Sequence, residues 1–151
     1  MKILVALDDS RHSDYLIKTI IQRKWPQDTQ FKIVSVNEPF DMESEDASWL
    51  QLSDEVDRRR KEHAEVLCER VRHAIEKHIP TASVHFEVKE GDPCCQVINA
   101  AVDWQADKIL MGAHSKSVCP HNLLGSVSRA VSHNAPCSVE VLREKPKLVA
   151  V

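Results

Sequence analysis

The chain has 151 residues, of which 42% are apolar and 28% are charged, and its formal net charge is −3 at pH 7. This length suits one domain, expected here to span residues 1–151, and so weak a negative charge creates no field that would attract nucleic acid or an anionic membrane. No apolar run reaches the ~20 residues that span a bilayer, and the run after Met1 is too short for a signal peptide. We therefore expect a cytoplasmic protein with neither a nucleic-acid nor a membrane partner.

The first part of the chain alternates apolar runs with amphipathic segments. Residues 2–7, "KILVAL", form a continuous apolar run, which is typical of a strand buried on both faces of a parallel sheet. A helix is predicted for residues 11–23, because its apolar residues recur at helical spacing, and a second strand is predicted for residues 31–36. The acidic stretch 37–46 is the most loop-like part of the chain.

The longest helix signal covers residues 53–78. The residues of its predicted inward side recur every three or four positions and include Arg60, Ala64 and Leu67. The charged run "DRRRKEHAE", residues 57–65, is interpreted as the solvated face of this helix rather than as a basic binding patch.

The second half of the chain repeats the alternation. Residues 83–88 alternate like a strand, and residues 91–93 supply a turn glycine, an aspartate N-cap and a proline at the first helical position. The predicted elements that follow are a helix from 93 to about 104, a strand at 108–112, a helix at 126–133 and a strand at 138–143. This order indicates an α/β domain with a parallel sheet covered by helices on both faces.

Open sheets of this kind bind ligands outside the carboxyl ends of the strands, where the winding direction reverses. Asp8 follows the first strand, and Met111 and Gly112 end the fourth. We expect these residues to border a crevice.

The cysteines give no sign of a disulfide framework. Their number, five, is odd, and they are dispersed, so reduced thiols are expected. His114, Cys119 and His121 share one loop, but their spacing does not match that of a regular metal site. Neither standard phosphate loop is present, and no catalytic residue is assigned.

The segment from Gly112 to Val127 is the strongest ligand-binding candidate. Gly125 and Ser126 open a helix, and the N–H groups and partial positive charge of a helix N-terminus favour a phosphate. The alternative is that these two residues only start and cap the helix.

Four segments of the chain carry a family resemblance. "ILVALDDS", "GDP" (91–93), "ADKILMG" (106–112) and "LLGSVSRAVSHNAPCSVEVLR" (123–143) resemble the universal stress protein family over nearly the whole chain. The resemblance implies a single Rossmann-like domain of the adenine nucleotide alpha hydrolase-like type. It also implies a five-stranded parallel sheet of order 3-2-1-4-5 with helices on both faces.

Some members of this family bind ATP through the motif Gly-x2-Gly-x9-Gly-Ser/Thr. The motif maps onto Gly112, Ser115, Gly125 and Ser126, so the spacing is intact and a serine replaces the second glycine. Asp9 is a second departure, because a glycine is common after the first aspartate.

The resemblance implies a regulatory protein that binds ATP or AMP, with slow or no turnover. Asp8 would lie near the ribose or a nucleotide-bound magnesium ion. The residues implied to flank the adenine and ribose are Ala6, Leu7, Asp8 and Val36, and those implied to line the phosphates are Met111, Gly112, Ser115, Gly125, Ser126 and Val127. The alternative is a dimeric interaction module that binds no nucleotide and recruits a protein partner that the sequence does not identify.

The resemblance also implies a homodimer through the strand at 138–143. In the family this strand lies at a sheet edge and commonly pairs antiparallel with its copy. Val139 and Val141 are predicted to share one face. Near the twofold axis Glu140 would approach its own copy, and these like charges would oppose pairing unless the register brings Arg143 across to offset them.

Overall fold

The chain folds as the alternating strands and helices that the sequence predicts. The computed structural model describes residues 1–8, 12–39, 47–113 and 124–144. In chain order the elements are β1 (Lys2–Leu7), α1 (His12–Gln22), β2 (Gln30–Asn37), α2 (Ala47–His78), β3 (Ser83–Glu90), α3 (Pro93–Trp104), β4 (Lys108–Gly112), α4 (Ser126–Asn134) and β5 (Ser138–Leu142).

The strands form one parallel sheet of order β3-β2-β1-β4-β5, which confirms the order implied by the family resemblance. Its centre is β1, which pairs with β2 on one side and with β4 on the other. Ala6 lies opposite both Val34 and Met111 in this register. The carboxyl ends of β1, β2 and β4 therefore lie side by side at one edge of the sheet.

Two apolar layers enclose the sheet, and this explains the continuous apolar run of β1. Ile3, Val5 and Leu7 pack on one face with residues from α1 and α2. Leu4 packs on the other face with residues from α3 and α4. A strand that contributes to both layers has no solvent-facing side, so alternation disappears from its sequence.

The turn before α3 is built as the sequence predicts. Gly91 has φ +126°, a conformation that residues with a side chain rarely adopt, and it carries the chain into the helix. Asp92 caps the helix, because its carboxylate accepts a hydrogen bond from the Cys95 backbone N–H at 2.8 Å. Pro93 occupies the first turn, where a backbone N–H would have no acceptor within the helix, so its missing N–H costs no hydrogen bond.

Several predicted boundaries need correction. Helix α2 begins at Ala47 rather than at Ser53, because its first turns expose Trp49, Leu50 and Leu52 and so show no core-facing periodicity. Asn37 belongs to β2, where it pairs in register with Glu90, and not to the following loop. Arg143 lies just beyond β5, which ends at Leu142.

The four cysteines within the described residues carry no disulfide. Cys68 is fully buried in α2, and this burial raises the pKa of its thiol to about 12. Cys119 lies outside the described residues. No helix in the described part of the chain is long and apolar enough to cross a membrane.

Glu140 links the edge strand β5 to Arg23 and to Lys108 through ion pairs. Its carboxylate accepts a hydrogen bond from the Arg23 guanidinium, just beyond α1, and lies 3.4 Å from Lys108 Nζ on β4. The Arg23 hydrogen bond is the main cause of a lowered Glu140 pKa, and partial burial opposes it. Within one chain, Arg23 and Lys108 thus offset the Glu140 charge, a role for which the sequence analysis considered only Arg143.

We expect Glu140→Gln to lower the free energy of unfolding near pH 7 by about 0.5 kcal/mol, a small effect because the pair is partly exposed. A carboxylate whose folded pKa is depressed adds stability above its unfolded pKa and loses it as the pH falls through the folded pKa. The difference between the two proteins should therefore shrink as the pH is lowered toward about 3 in urea unfolding. Glu76→Gln is the control, because Glu76 pairs with Arg72 of the same helix, at 3.5 Å, and so links no two elements through this contact. A difference that is independent of pH would contradict this role of the Glu140 carboxylate.

Candidate functional site

A cavity of about 740 Å³ opens at the carboxyl ends of β1, β2 and β4. The helix that follows β1 packs on one face of the sheet and the helix that follows β4 packs on the other. The winding direction therefore reverses between β1 and β4, and the space between the diverging chains is the crevice typical of doubly wound folds. Its volume lies within the range of small-molecule sites.

The predicted site residues lie together on the wall of this cavity wherever the structure describes them. Ser115 lies outside the described residues, as do His114, Cys119 and His121. The predicted residues that line the cavity are Ala6, Leu7, Asp8, Val36, Met111, Gly112, Gly125, Ser126 and Val127. Their role in binding a ligand stays a prediction.

The N-terminus of α4 forms one end of the cavity. Gly125 is its N-cap residue, and no side-chain hydrogen bond from the described residues caps the helix. Gly125 has φ −67° and ψ 165°, a conformation open to any residue, so the glycine is not needed for its backbone freedom. What it does provide is a surface without a side chain next to the first N–H groups of α4. That arrangement suits an anion and weakens the alternative that Gly125 and Ser126 only cap the helix.

Asp8 lies at the centre of the crevice. It follows directly after β1, is exposed and lines the cavity between the ends of β2 and β4. A carboxylate at this place can accept hydrogen bonds from ribose hydroxyls or join a magnesium ion held by phosphates, since Mg²⁺ is usually bound through one or two carboxylates plus substrate phosphates. No cluster of three or more potential metal-binding side chains occurs in the described ranges.

Helix α2 contributes a wall that the sequence analysis missed. Arg60, His63, Ala64 and Leu67 line the cavity and share one helix face. The run "DRRRKEHAE" is therefore only partly a solvated face. Arg58 and Arg59 do fit that description, because both pair with Glu55 on the outside of the helix. The signal was present in the sequence, since Arg60 falls in line with Ala64 and Leu67 on the inward stripe.

The end of β2 supplies further polar groups to the same wall. Arg60 Nη1 donates a hydrogen bond to the Glu38 carbonyl oxygen at 2.9 Å. Asn37 also lines the cavity, and its Nδ2 is buried without an acceptor among the described residues. Arg129, from the first turns of α4, adds a second arginine at the opposite end. A small ligand with an anionic end and hydrogen-bonding groups at its other end fits these residues.

Fold and cavity together define a doubly wound α/β protein with a nucleotide-sized crevice at its switch point. The model of the universal stress protein family matches residues 1–143, and the chain belongs to that family. A curated relative from Methanothermobacter thermautotrophicus, a universal stress protein, is 39% identical over 64 residues, which are 42% of this chain and 43% of the relative. The chain thus matches less than half the length of this relative.

Solved structures show the same fold. Universal stress protein UspA from Lactobacillus plantarum has a TM-score of 0.78 at 18% identity and is matched over 95% of this chain and 97% of its own. A universal stress protein family member from Arabidopsis thaliana, solved with AMP bound, has a TM-score of 0.65 at 14% identity over 99% of this chain and 96% of its own. At these identities the likeness establishes the fold.

Proposed function

We propose that this protein binds an adenine nucleotide, ATP or AMP, in the crevice between β1 and β4 and acts as a nucleotide-responsive regulator. The observation that carries the proposal is the N-terminus of α4, which faces the cavity without a side-chain cap from the described residues. Membership of the universal stress protein family and the AMP-bound structural neighbour support the choice of an adenine nucleotide.

The proposed pose follows from the charges of the cavity. The phosphates lie against Gly125 and Ser126, where the N–H groups and the partial charge of α4 favour an anion. The ribose lies near Asp8, and the base extends past Ala6 toward Val36 at the end of β2. If the ligand is ATP, Asp8 would be the residue that helps to hold a phosphate-bound magnesium ion, which would offset the charge of the phosphates. Hydrolysis of the nucleotide is slow or absent in this proposal, because no residue is assigned as the base that would activate water.

A second candidate function is a protein-interaction module without a nucleotide. Trp49, Leu50 and Leu52 favour it, since three large apolar side chains near the start of α2 are about half exposed and exposed apolar clusters often mark interaction sites. Denaturing the purified protein and analysing the supernatant by chromatography and absorbance separates the two. Released adenine nucleotide supports the first function, and its absence together with no titratable AMP or ATP binding supports the second.

Gly125→Val should abolish binding of AMP and ATP in calorimetry, because a branched side chain would block the approach of a phosphate to the α4 N-terminus. The backbone of Gly125 is in a region open to valine, so the variant should fold and lose only about 1 kcal/mol through poorer capping. Ser126→Ala is the comparison variant: it removes one hydroxyl that lines the phosphates but leaves the N–H groups accessible, so it should weaken binding without abolishing it. Unchanged affinity in Gly125→Val would exclude this phosphate site.

Asp8→Asn should weaken ATP binding mainly in the presence of magnesium, because the amide keeps the shape of the side chain but loses the charge that attracts the cation. The measurement is an ATP titration of both proteins with magnesium and with a chelator. The melting temperature should change little, because Asp8 is exposed. A large loss of stability with normal ATP affinity would instead indicate a structural role for this aspartate.

We also propose a homodimer through β5, which lies at one edge of the sheet. The Ala113 N–H donates to the Leu142 carbonyl at 2.8 Å, so Leu142 turns its backbone groups toward β4. Successive residues of a strand direct their backbone N–H and C=O groups to opposite sides. The N–H and C=O groups of Val139 and Val141 therefore point away from β4, toward the partner. Their side chains pack on the core formed with α3 and α4, so pairing need not expose them.

Val139→Pro should convert the dimer to a monomer in light scattering, because it removes an N–H that faces the edge and leaves the β4–β5 hydrogen bonds in place. Val139→Ala keeps this N–H and should remain dimeric. A wild-type protein that is monomeric at tens of micromolar would contradict the proposal.

A further inference from the structure

The wall formed by α2 packs against β2 and β3, whereas α4 packs against β5 at the other side of the sheet. Arg60 and His63 are three residues apart on one helix face, and both line the cavity. Below them, Ala64 and Leu67 are buried and continue the same face into the core. The position of the two polar side chains is therefore fixed by the packing of α2 on the sheet.

Arg60 is held at this place by the end of β2. Its Nη1 donates to the Glu38 carbonyl oxygen at 2.9 Å and lies 3.9 Å from Asp57 Oδ1 on α2, and its side chain is 44% exposed. A guanidinium carries five N–H groups in a fixed fork, and the bond to Glu38 uses one of them. Asn37 brings a further donor, Nδ2, which is buried with no acceptor in the described part of the chain. Buried amide donors in native proteins nearly always have a partner, and an acceptor that enters the cavity would satisfy this one.

We propose that Arg60, His63 and Asn37 form a base-recognition wall, which selects the purine base of the nucleotide through its ring-nitrogen acceptors. The inference rests on the proposed function, since phosphates at α4 direct the other end of the nucleotide toward β2 and α2. Purines present ring nitrogens such as N3 and N7 as hydrogen-bond acceptors, and the wall can donate to them from the Arg60 guanidinium, from Asn37 Nδ2 and from the protonated ring nitrogen of His63. Arginine at this wall thus contacts the base rather than the phosphates, which distinguishes it from Arg129 on α4.

The test compares AMP with ribose 5-phosphate, which keeps the sugar and phosphate but lacks the base. Arg60→Gln should weaken AMP binding by roughly tenfold in calorimetry, the effect expected for loss of a hydrogen bond from a charged donor. Its affinity for ribose 5-phosphate, measured by displacement of AMP, should match that of the wild type. His63→Gln should show the same selectivity. Arg59→Gln is the matched control, because Arg59 lies next to Arg60 but is 74% exposed and pairs with Glu55 outside the cavity.

The outcomes separate this inference from the proposed function. If wild-type protein binds AMP and Arg60→Gln binds it equally well, base recognition by α2 is wrong and nucleotide binding stands. Equal losses for AMP and ribose 5-phosphate would also overturn the inference, because they would mean that Arg60 contacts the phosphate or only supports the fold. Wild-type protein that binds no AMP would overturn both proposals.

Discussion

The structure depends on the double pairing of β1. This strand is hydrogen-bonded in parallel to β2 and to β4, and Ala6 lies opposite a residue of each. Since all three strands run in the same direction, their carboxyl ends converge at one edge. The helices after β1 and β4 leave that edge on opposite faces, because each must bury its apolar side in a different layer. The cavity is the space that this divergence opens.

Helix α2 serves both the core and the cavity with one face. Cys68, Val71 and Ile75 pack in the core, while Arg60 and His63 reach the cavity one or two turns earlier. The helix has 32 residues and so a length of about 48 Å, which exceeds the span of the sheet that it covers. Its first turns therefore extend past the sheet. This explains why the apolar residues of these turns are exposed and why the polar residues that follow can line the crevice.

The sequence was sufficient for the features that local chemistry determines. The unbroken apolar run of β1 and the Asp92 cap each report a local environment, and the structure confirms both. The placement of Arg60 and His63 was missed, because one stretch of charged residues contains both an outward face and a cavity face. Helical spacing places Arg60, unlike Arg59, in line with Ala64 and Leu67, but it does not show that this part of the stripe faces a cavity rather than the core or solvent. The strand order, likewise, came from family resemblance and not from periodicity, since hydrophobic spacing does not specify which strands are neighbours.

The reactivity of the Cys68 thiol depends on whether α2 is packed on the sheet. The thiol has no exposed surface, its pKa is about 12, and it sits on the face of α2 that seals one layer of the core. Thiol reagents attack the accessible thiolate, a species that Cys68 does not offer while α2 is packed on the sheet. Cys95 is exposed and needs no such opening. The relative rates at which the two cysteines are alkylated thus measure how often the core beneath α2 opens, and a Cys68 rate above that set by global unfolding would show that α2 detaches on its own.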